Sequence, residues 1–135
     1  MRIMVDTNIL LSAILFPESN LSSRLVAVVS QHRLVLPTQI IEESQAVIKR
    51  KFPDMQAAYS HFIAQLDFEE FRTPDSLNLD DFPKIRDPKD APILVSAILS
   101  DVAFFITGDK DFHALDLEHP IITTLAEFCA KHLDS

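Results

Sequence analysis

The chain has 135 residues, of which 47% are hydrophobic and one is a cysteine, and its formal net charge is −8. This composition excludes a disordered chain, an intrachain disulfide, a zinc site built from several cysteines, and a membrane span, since no apolar run is long enough for one. The negative charge excludes a protein that coats nucleic acid by bulk electrostatics, although a metal ion can still bridge acidic ligands and phosphate.

The first predicted element is a buried strand, Arg2–Val5, which ends in Asp6. Helical spacing of apolar residues resumes from Ile9 onward. A carboxylate at such a strand-to-helix junction lies at the C-terminal edge of an α/β sheet, where this architecture places its sites. Asp6 is therefore the first candidate functional residue. It also follows the N-terminus too closely for the preceding apolar run to be a signal peptide.

The rest of the chain continues to alternate between the two kinds of pattern. Helices are predicted at Leu21–Val29, Thr38–Lys51, Asp54–Leu66, Pro88–Ser100 and from Thr124, and strands at Arg33–Leu36, Glu69–Arg72, Ala103–Ile106 and Ile121–Ile122. This alternation predicts an α/β fold of three layers, α/β/α, with a mostly parallel central sheet. Because no repeat, low-complexity run or linker interrupts it, we expect one domain over residues 1–135.

The predicted strand Ala103–Ile106 also ends in acid. It runs into Thr107, then Gly108, the only glycine of the chain, and then Asp109 and Asp111. Two strands that end in acid indicate a convergent acidic pocket, in which Coulomb repulsion favours a bound cation. Gly108 would permit a positive φ or a close approach of the backbone to a ligand at this turn.

Further acids lie at helix starts, where each also has a purely structural interpretation. Glu42 and Glu43 would complement the positive end of a helix dipole, and adjacent helix positions point about 100° apart, so only one can face a pocket. Asp87 fits an N-cap before Pro88, with Asp90 three residues later. Their joint placement on one sheet edge favours a shared site.

Four motifs in this order resemble those of the PIN domain, a family of metal-dependent ribonucleases, and they span nearly the whole chain. They are Val5–Leu10, Ile41–Ile48, Arg86–Leu94 and Ile106–Phe112. Ser44 departs from the family pattern, which has an apolar residue there. The length, the run Arg86–Asp90 and the terminal Glu127–Phe128 resemble, more narrowly, the bacterial PIN toxins of type II toxin–antitoxin modules.

The resemblance implies a set of functional residues and partners. It implies that the catalytic residues are Asp6, Glu43, Asp90 and Asp109. Of these, Asp6, Asp90 and Asp109 would be ligands of Mg²⁺ or Mn²⁺. The residues that would orient these ligands or bind through water are Thr7, Asn8, Thr107 and Asp111. It also implies hydrolysis of RNA phosphodiester bonds, a homodimer and a cognate antitoxin protein. Cys129, in an ordinary core pattern of the last helix, fits a reducing, cytoplasmic setting.

RNA must be contacted through local positive charge, because the chain as a whole is acidic. The candidate RNA-binding residues are Lys49, Arg50, Lys51, Arg86 and Lys89. Residues Lys49–Lys51 close the helix that carries Glu43, and they would equally complement the negative end of its dipole.

Three other functions remain open from the sequence. A phosphatase of the haloacid dehalogenase type would need a second aspartate where this chain has Asn8. A receiver-like phosphoacceptor domain would need a lysine after a late strand, but Lys110 lies between two acids. The third is a nucleic-acid-binding or regulatory protein that keeps the PIN fold without nuclease activity.

Overall fold

The sheet of this computed structural model is parallel throughout, and the structure describes residues 1–76 and 78–133. Its five strands in the described residues are β1 (Arg2–Val5), β2 (Arg33–Pro37), β3 (Phe68–Phe71), β4 (Phe104–Ile106) and β5 (Ile121–Thr123). The strand order is β3-β2-β1-β4-β5. Strand β1 is therefore central, and Val5 pairs with Ile106, which places the carboxyl ends of β1 and β4 side by side.

Helices connect the strands and cover both faces of the sheet, giving the predicted α/β/α layering. The α-helices of the described chain are α1 (Thr7–Leu15), α2 (Asn20–Gln31), α3 (Thr38–Lys51), α4 (Gln56–Gln65), α5 (Ala91–Leu99), α6 (Lys110–His113) and α7 (Leu125–His132), with 3-10 turns at Pro53–Met55, Leu79–Asp81 and Pro88–Asp90. None of the described helices is long and apolar enough to cross a membrane.

The central strands are buried on both faces, which explains their uninterrupted apolar sequences. Ile3, Met4 and Val5 of β1 are fully buried, as are Phe105 and Ile106 of β4. These residues form the middle of the hydrophobic core. The strand ends that carry Asp6 and Thr107 are therefore held in fixed positions by the best-packed part of the molecule.

Most predicted elements are confirmed, and the differences have local causes. Strand β1 and helix α3 have the predicted limits. The helices predicted from Asp54 and Pro88 instead begin with a 3-10 turn, in each case with a proline at its first position, and become α-helical only at Gln56 and Ala91. Helix α6 was not predicted, because a single turn is too short to show helical periodicity.

Candidate metal centre

Asp6 is fixed at the edge of the sheet by hydrogen bonds to both of its carboxylate oxygens. Its Oδ1 accepts from the backbone N–H of Ile9, at 2.9 Å, and so caps helix α1. Its Oδ2 accepts from the hydroxyl of Thr107, whose oxygen in turn accepts from the backbone N–H of Asp109 at 3.0 Å. Fully buried Thr107 thus ties the acid that ends β1 to the acid that follows β4.

Three carboxylates converge at this edge. One oxygen each from Asp90, Asp109 and Asp111 lies within 4.8 Å of the other two, and all three residues are half-buried. Asp109 caps helix α6 by accepting from the backbone N–H of Asp111 at 2.9 Å, which holds these two acids in one turn. Asp111 thus lies in the closest group of acids, next to the predicted pair Asp90 and Asp109.

Burial first, and then repulsion by the neighbouring acids, disfavour the charged form of Asp90. Burial and the neighbouring charges of Asp109, Asp87, Glu43 and Asp111 raise the pKa of Asp90 to about 6. Asp90 makes no side-chain capping bond to helix α5, whereas Asp87 accepts from the backbone N–H of Lys89 at 3.0 Å. The structural interpretation as a cap thus holds for Asp87 and not for Asp90.

Glu43, rather than Glu42, faces the acids. A cavity of about 120 Å³ is lined by Glu43 together with Asp6, Thr7, Asn8, Asp90 and Asp109; we call it the acidic cavity. Glu42 is exposed and lies beside Thr38 and Glu70 on another part of the surface. Burial raises the pKa of Glu43, and a hydrogen bond from Gln39 Nε2 at 3.2 Å opposes this shift.

Ser44, the departure from the family pattern, has a structural role. It is fully buried, and its hydroxyl lies 2.7 Å from the Tyr59 hydroxyl and 3.0 Å from the carbonyl oxygen of Ile41. Tyr59 also donates to that carbonyl, at 3.1 Å. A polar residue is accepted here because helix α4 supplies it with a partner.

The acidic cavity suits a hydrated divalent cation. Its ligand atoms are carboxylate and hydroxyl oxygens, the hard donors that Mg²⁺ and Mn²⁺ prefer. Thr7 is 8% exposed, and its hydroxyl is the one buried side-chain polar atom of the described residues that has no hydrogen-bond partner. An unpaired buried hydroxyl is uncommon, and a water bound to a cation in this cavity would donate a hydrogen bond to its oxygen.

The candidate RNA-binding cations differ in position. Arg86 Nε lies 2.9 Å and 3.0 Å from the two carboxylate oxygens of Asp111, and the pairing raises the pKa of the guanidinium. Lys89 is exposed beside Asp90. Lys49, Arg50 and Lys51 are exposed on the last turn of α3 and do not line the acidic cavity.

Two features were not predicted, and one of the two roles expected for Gly108, the positive φ, was wrong. Gln39, which orients Glu43, could have been found from the (i, i+4) spacing on a helix. The pairing of Arg86 with Asp111 spans 25 positions and leaves no local signal. Gly108 does not adopt a positive φ, and a Cβ there would meet nothing within 4 Å, so the turn itself does not require a glycine.

Comparisons with known proteins agree with this fold. The sequence profile of the PIN domain matches residues 2–111, and the chain belongs to the PIN domain family. Among solved structures it is similar to VapBC2 from Rickettsia felis bound to a DNA fragment from their promoter, with a TM-score of 0.66 and 17% identity over 91% of this chain and 97% of that chain. The comparison with curated proteins finds no match.

Proposed function

We propose that the protein is a divalent-metal-dependent endoribonuclease and the toxin of a toxin–antitoxin module. The observation that carries this proposal is the convergence of Asp90, Asp109 and Asp111 within 4.8 Å at the sheet edge that also holds Asp6. Membership of the PIN domain family supports it.

In this proposal Asp6, Asp90 and Asp109 hold Mg²⁺ or Mn²⁺, with Asp111 beside them as a further ligand or through water. The ion would polarise the scissile phosphate and lower the pKa of a bound water. Glu43, oriented by Gln39, would accept a proton from the attacking water. Thr107 would keep Asp6 and Asp109 in register, and Thr7 and Asn8 would bind the water shell.

The toxin assignment rests on two supports of different kinds. The motif resemblance points to bacterial PIN toxins, and the similar solved structure contains the VapBC2 pair from Rickettsia felis. An antitoxin protein, a homodimer and a cytoplasmic setting belong to this proposal. Co-expression with the product of the neighbouring reading frame, followed by co-purification, tests for the antitoxin.

The deciding test for the nuclease is cleavage of a mixed RNA pool with manganese and with chelator. Asp6→Asn or Asp109→Asn should slow cleavage at least about 100-fold, since each loses roughly 3 kcal/mol of transition-state stabilisation. Asp116→Asn, an exposed acid that does not line the acidic cavity, is the matched control and should cut normally.

Undiminished cleavage by either variant in excess chelator would refute the metal-site assignment. RNA binding by the wild type without any metal-dependent cleavage would instead favour a PIN-fold binding or regulatory protein that is not a nuclease.

A further inference from the structure

A second cavity, of about 290 Å³, lies next to the residues that flank Asp90. It is lined by residues of the segment 79–88 and by helix α5, and it shares Pro88 and Ala91 with the turn that carries Asp90. Its lining is largely apolar and includes Leu79, Phe82 and Leu94. We call it the apolar cavity. Its volume is close to the lower end for small-ligand pockets, which suits one small planar group.

Phe82 is the unusual residue of this lining. Its ring is half-buried, yet within the described chain it is not among the partly buried residues that pack against the hydrophobic core, whereas neighbouring Ile85 is. Core packing therefore does not explain why an aromatic ring stands in this wall. An aromatic ring beside an open cavity is a surface on which another planar group can stack.

Two cations and one acid, Asp80, line the apolar cavity as well, and one of the cations joins it to the acidic cluster. Lys84 and Arg86 both contribute to its wall. Arg86 also contacts both carboxylate oxygens of Asp111, which belongs to the cluster with Asp90 and Asp109. One residue, Arg86, thus lines the apolar cavity and contacts the acidic cluster.

We propose that the apolar cavity binds a single nucleobase of the RNA strand, next to the phosphate that lies at the acidic cluster. This inference rests on the proposed ribonuclease function and names the part of the substrate that is recognised. The base would stack on Phe82, as single-stranded nucleic acid does on aromatic side chains. Lys84 and Arg86 would neutralise the phosphates on either side of it.

The cations favour a nucleobase over an apolar side chain of a protein partner. An apolar side chain would fill the same space but would leave Lys84 and Arg86 without an anionic partner from the ligand. A nucleotide carries its own phosphates, so its base would fill the apolar part of the wall while its phosphates pair with the two cations. The base identity that this cavity accepts would then set the sequence preference of cleavage.

Binding can be tested without metal and without cleavage. The four nucleoside 5′-monophosphates are titrated into the protein in chelator, and the methyl NMR signals of Leu79, Ile85, Leu94 and Val95 are followed. At least one nucleotide should shift these signals. Phe82→Ala should weaken that binding about tenfold, the loss expected for one base stacked on an aromatic ring.

The control is Phe16→Ala, which removes another phenylalanine that is 63% exposed and lies outside the apolar cavity. It should leave the binding unchanged. Leu79→Ala provides a second variant, because Leu79 lines the cavity and is 46% exposed. The substitution removes part of the cavity wall without changing a residue of the buried hydrophobic core. It should also weaken binding.

Three results would overturn the proposal: no shift at these methyls with any nucleotide, equal affinity of wild type and both cavity variants, or shifts produced by N-acetylphenylalaninamide and by no nucleotide. The last would assign the cavity to a protein partner.

Sequencing of cleaved RNA ends adds a separate readout, in which Phe82→Ala should lose a base preference that Phe16→Ala keeps. If the protein cuts no RNA, the ribonuclease proposal fails while the nucleotide titration still decides the cavity.

Discussion

At the scale of the single residue, Asp90 is subject to two opposing electrostatic effects. A negative charge at the start of helix α5 is favoured by the helix dipole. Burial and the charges of Asp109, Asp87, Glu43 and Asp111 disfavour the same charge and raise the pKa of Asp90 to about 6. Because this pKa lies above the ordinary value of 3.8, the unfavourable effects are the larger.

The raised pKa predicts how stability depends on pH. The folded state binds the Asp90 proton more tightly than the unfolded state, so this contribution is full below about pH 3.8 and is lost as the pH rises through about 6. In metal-free buffer at pH 7.5, Asp90→Asn should therefore raise the melting temperature by roughly 2–5 °C. Below about pH 4 the gain should vanish.

Thermal melts of wild type, Asp90→Asn and Asp116→Asn at both pH values measure this effect. The exposed Asp116 serves as the matched control and should give little change. A lower melting temperature of Asp90→Asn at pH 7.5 would show that the helix dipole dominates, and would contradict the argument from repulsion.

The sequence patterns predicted which acids form the site better than they predicted the hydrogen bonds and ion pairs of these acids. Asp6 and Asp109 follow apolar strands, and the carboxyl ends of parallel strands share one edge of a sheet, so a common acidic edge could be predicted although the strand order could not. The position of Asp111 within the acidic cluster depends on the cap that Asp109 forms, and its pairing with Arg86 joins distant segments. Such contacts follow from the folded geometry and not from local periodicity.

At the scale of the element, a buried polar contact fastens helix α3, which carries Glu43, to helix α4. The hydroxyls of Ser44 and Tyr59 and the carbonyl oxygen of Ile41 are mutually within 3.1 Å. Each hydroxyl has one proton, so the two hydroxyls can donate only two hydrogen bonds among the three contacts. The two side chains should therefore be energetically coupled.

A double-mutant cycle tests this coupling. Tyr59→Phe and Ser44→Ala should each lower the free energy of unfolding by about 1 kcal/mol. The double variant should cost less than the sum by at least about 0.5 kcal/mol, because each single change already breaks the shared contact. Ser30→Ala removes a similar but exposed bond to a carbonyl three residues earlier and should cost under about 0.5 kcal/mol. Denaturant titrations that show strict additivity would contradict the coupling.

The C-terminal turn of α3 carries the exposed cations Lys49 and Arg50. If they contact RNA phosphates, Lys49→Ala with Arg50→Ala should weaken RNA binding and reduce the slope of log affinity against log salt by about 1.4, since each single-strand contact contributes about 0.7. Metal affinity should not change. Fluorescence anisotropy in chelator, with Lys131→Ala on the last turn of α7 as control, measures the slopes. Identical slopes would show that the two cations do not contact RNA phosphates, and their interaction with the helix dipole would then be sufficient to explain them.

The fold itself was largely predictable at this scale, because alternating strand and helix patterns require parallel strands. The continuous apolar sequences of β1 and β4 also indicated burial on both faces. The strand order, with β1 between β2 and β4, was not predicted. It depends on which faces pack together across the molecule, and the apolar runs of the two neighbours are too alike to distinguish them.

At the scale of the whole molecule, the chain carries a net charge of −8, and several of its acids, Asp6, Glu43, Asp90, Asp109 and Asp111, gather at one edge of the sheet. The core that surrounds this edge is well packed, with Ile3, Met4 and Val5 of β1 and Phe105 and Ile106 of β4 fully buried. A tightly packed frame can hold like charges together that would separate in a looser one. The resulting cost should be offset when a divalent cation binds.

That offset gives a prediction that needs no RNA substrate. At a magnesium concentration of ten times the dissociation constant, wild type should gain about 1.4 kcal/mol of unfolding free energy by mass action. Asp90→Asn should gain clearly less, because one candidate ligand has lost its charge, whereas Asp116→Asn should gain as much as wild type. Thermal melts of the three proteins across a magnesium titration provide the measurement. Equal gains by all three would place the ion outside the acidic cavity, since Asp90 lines this cavity and Asp116 does not.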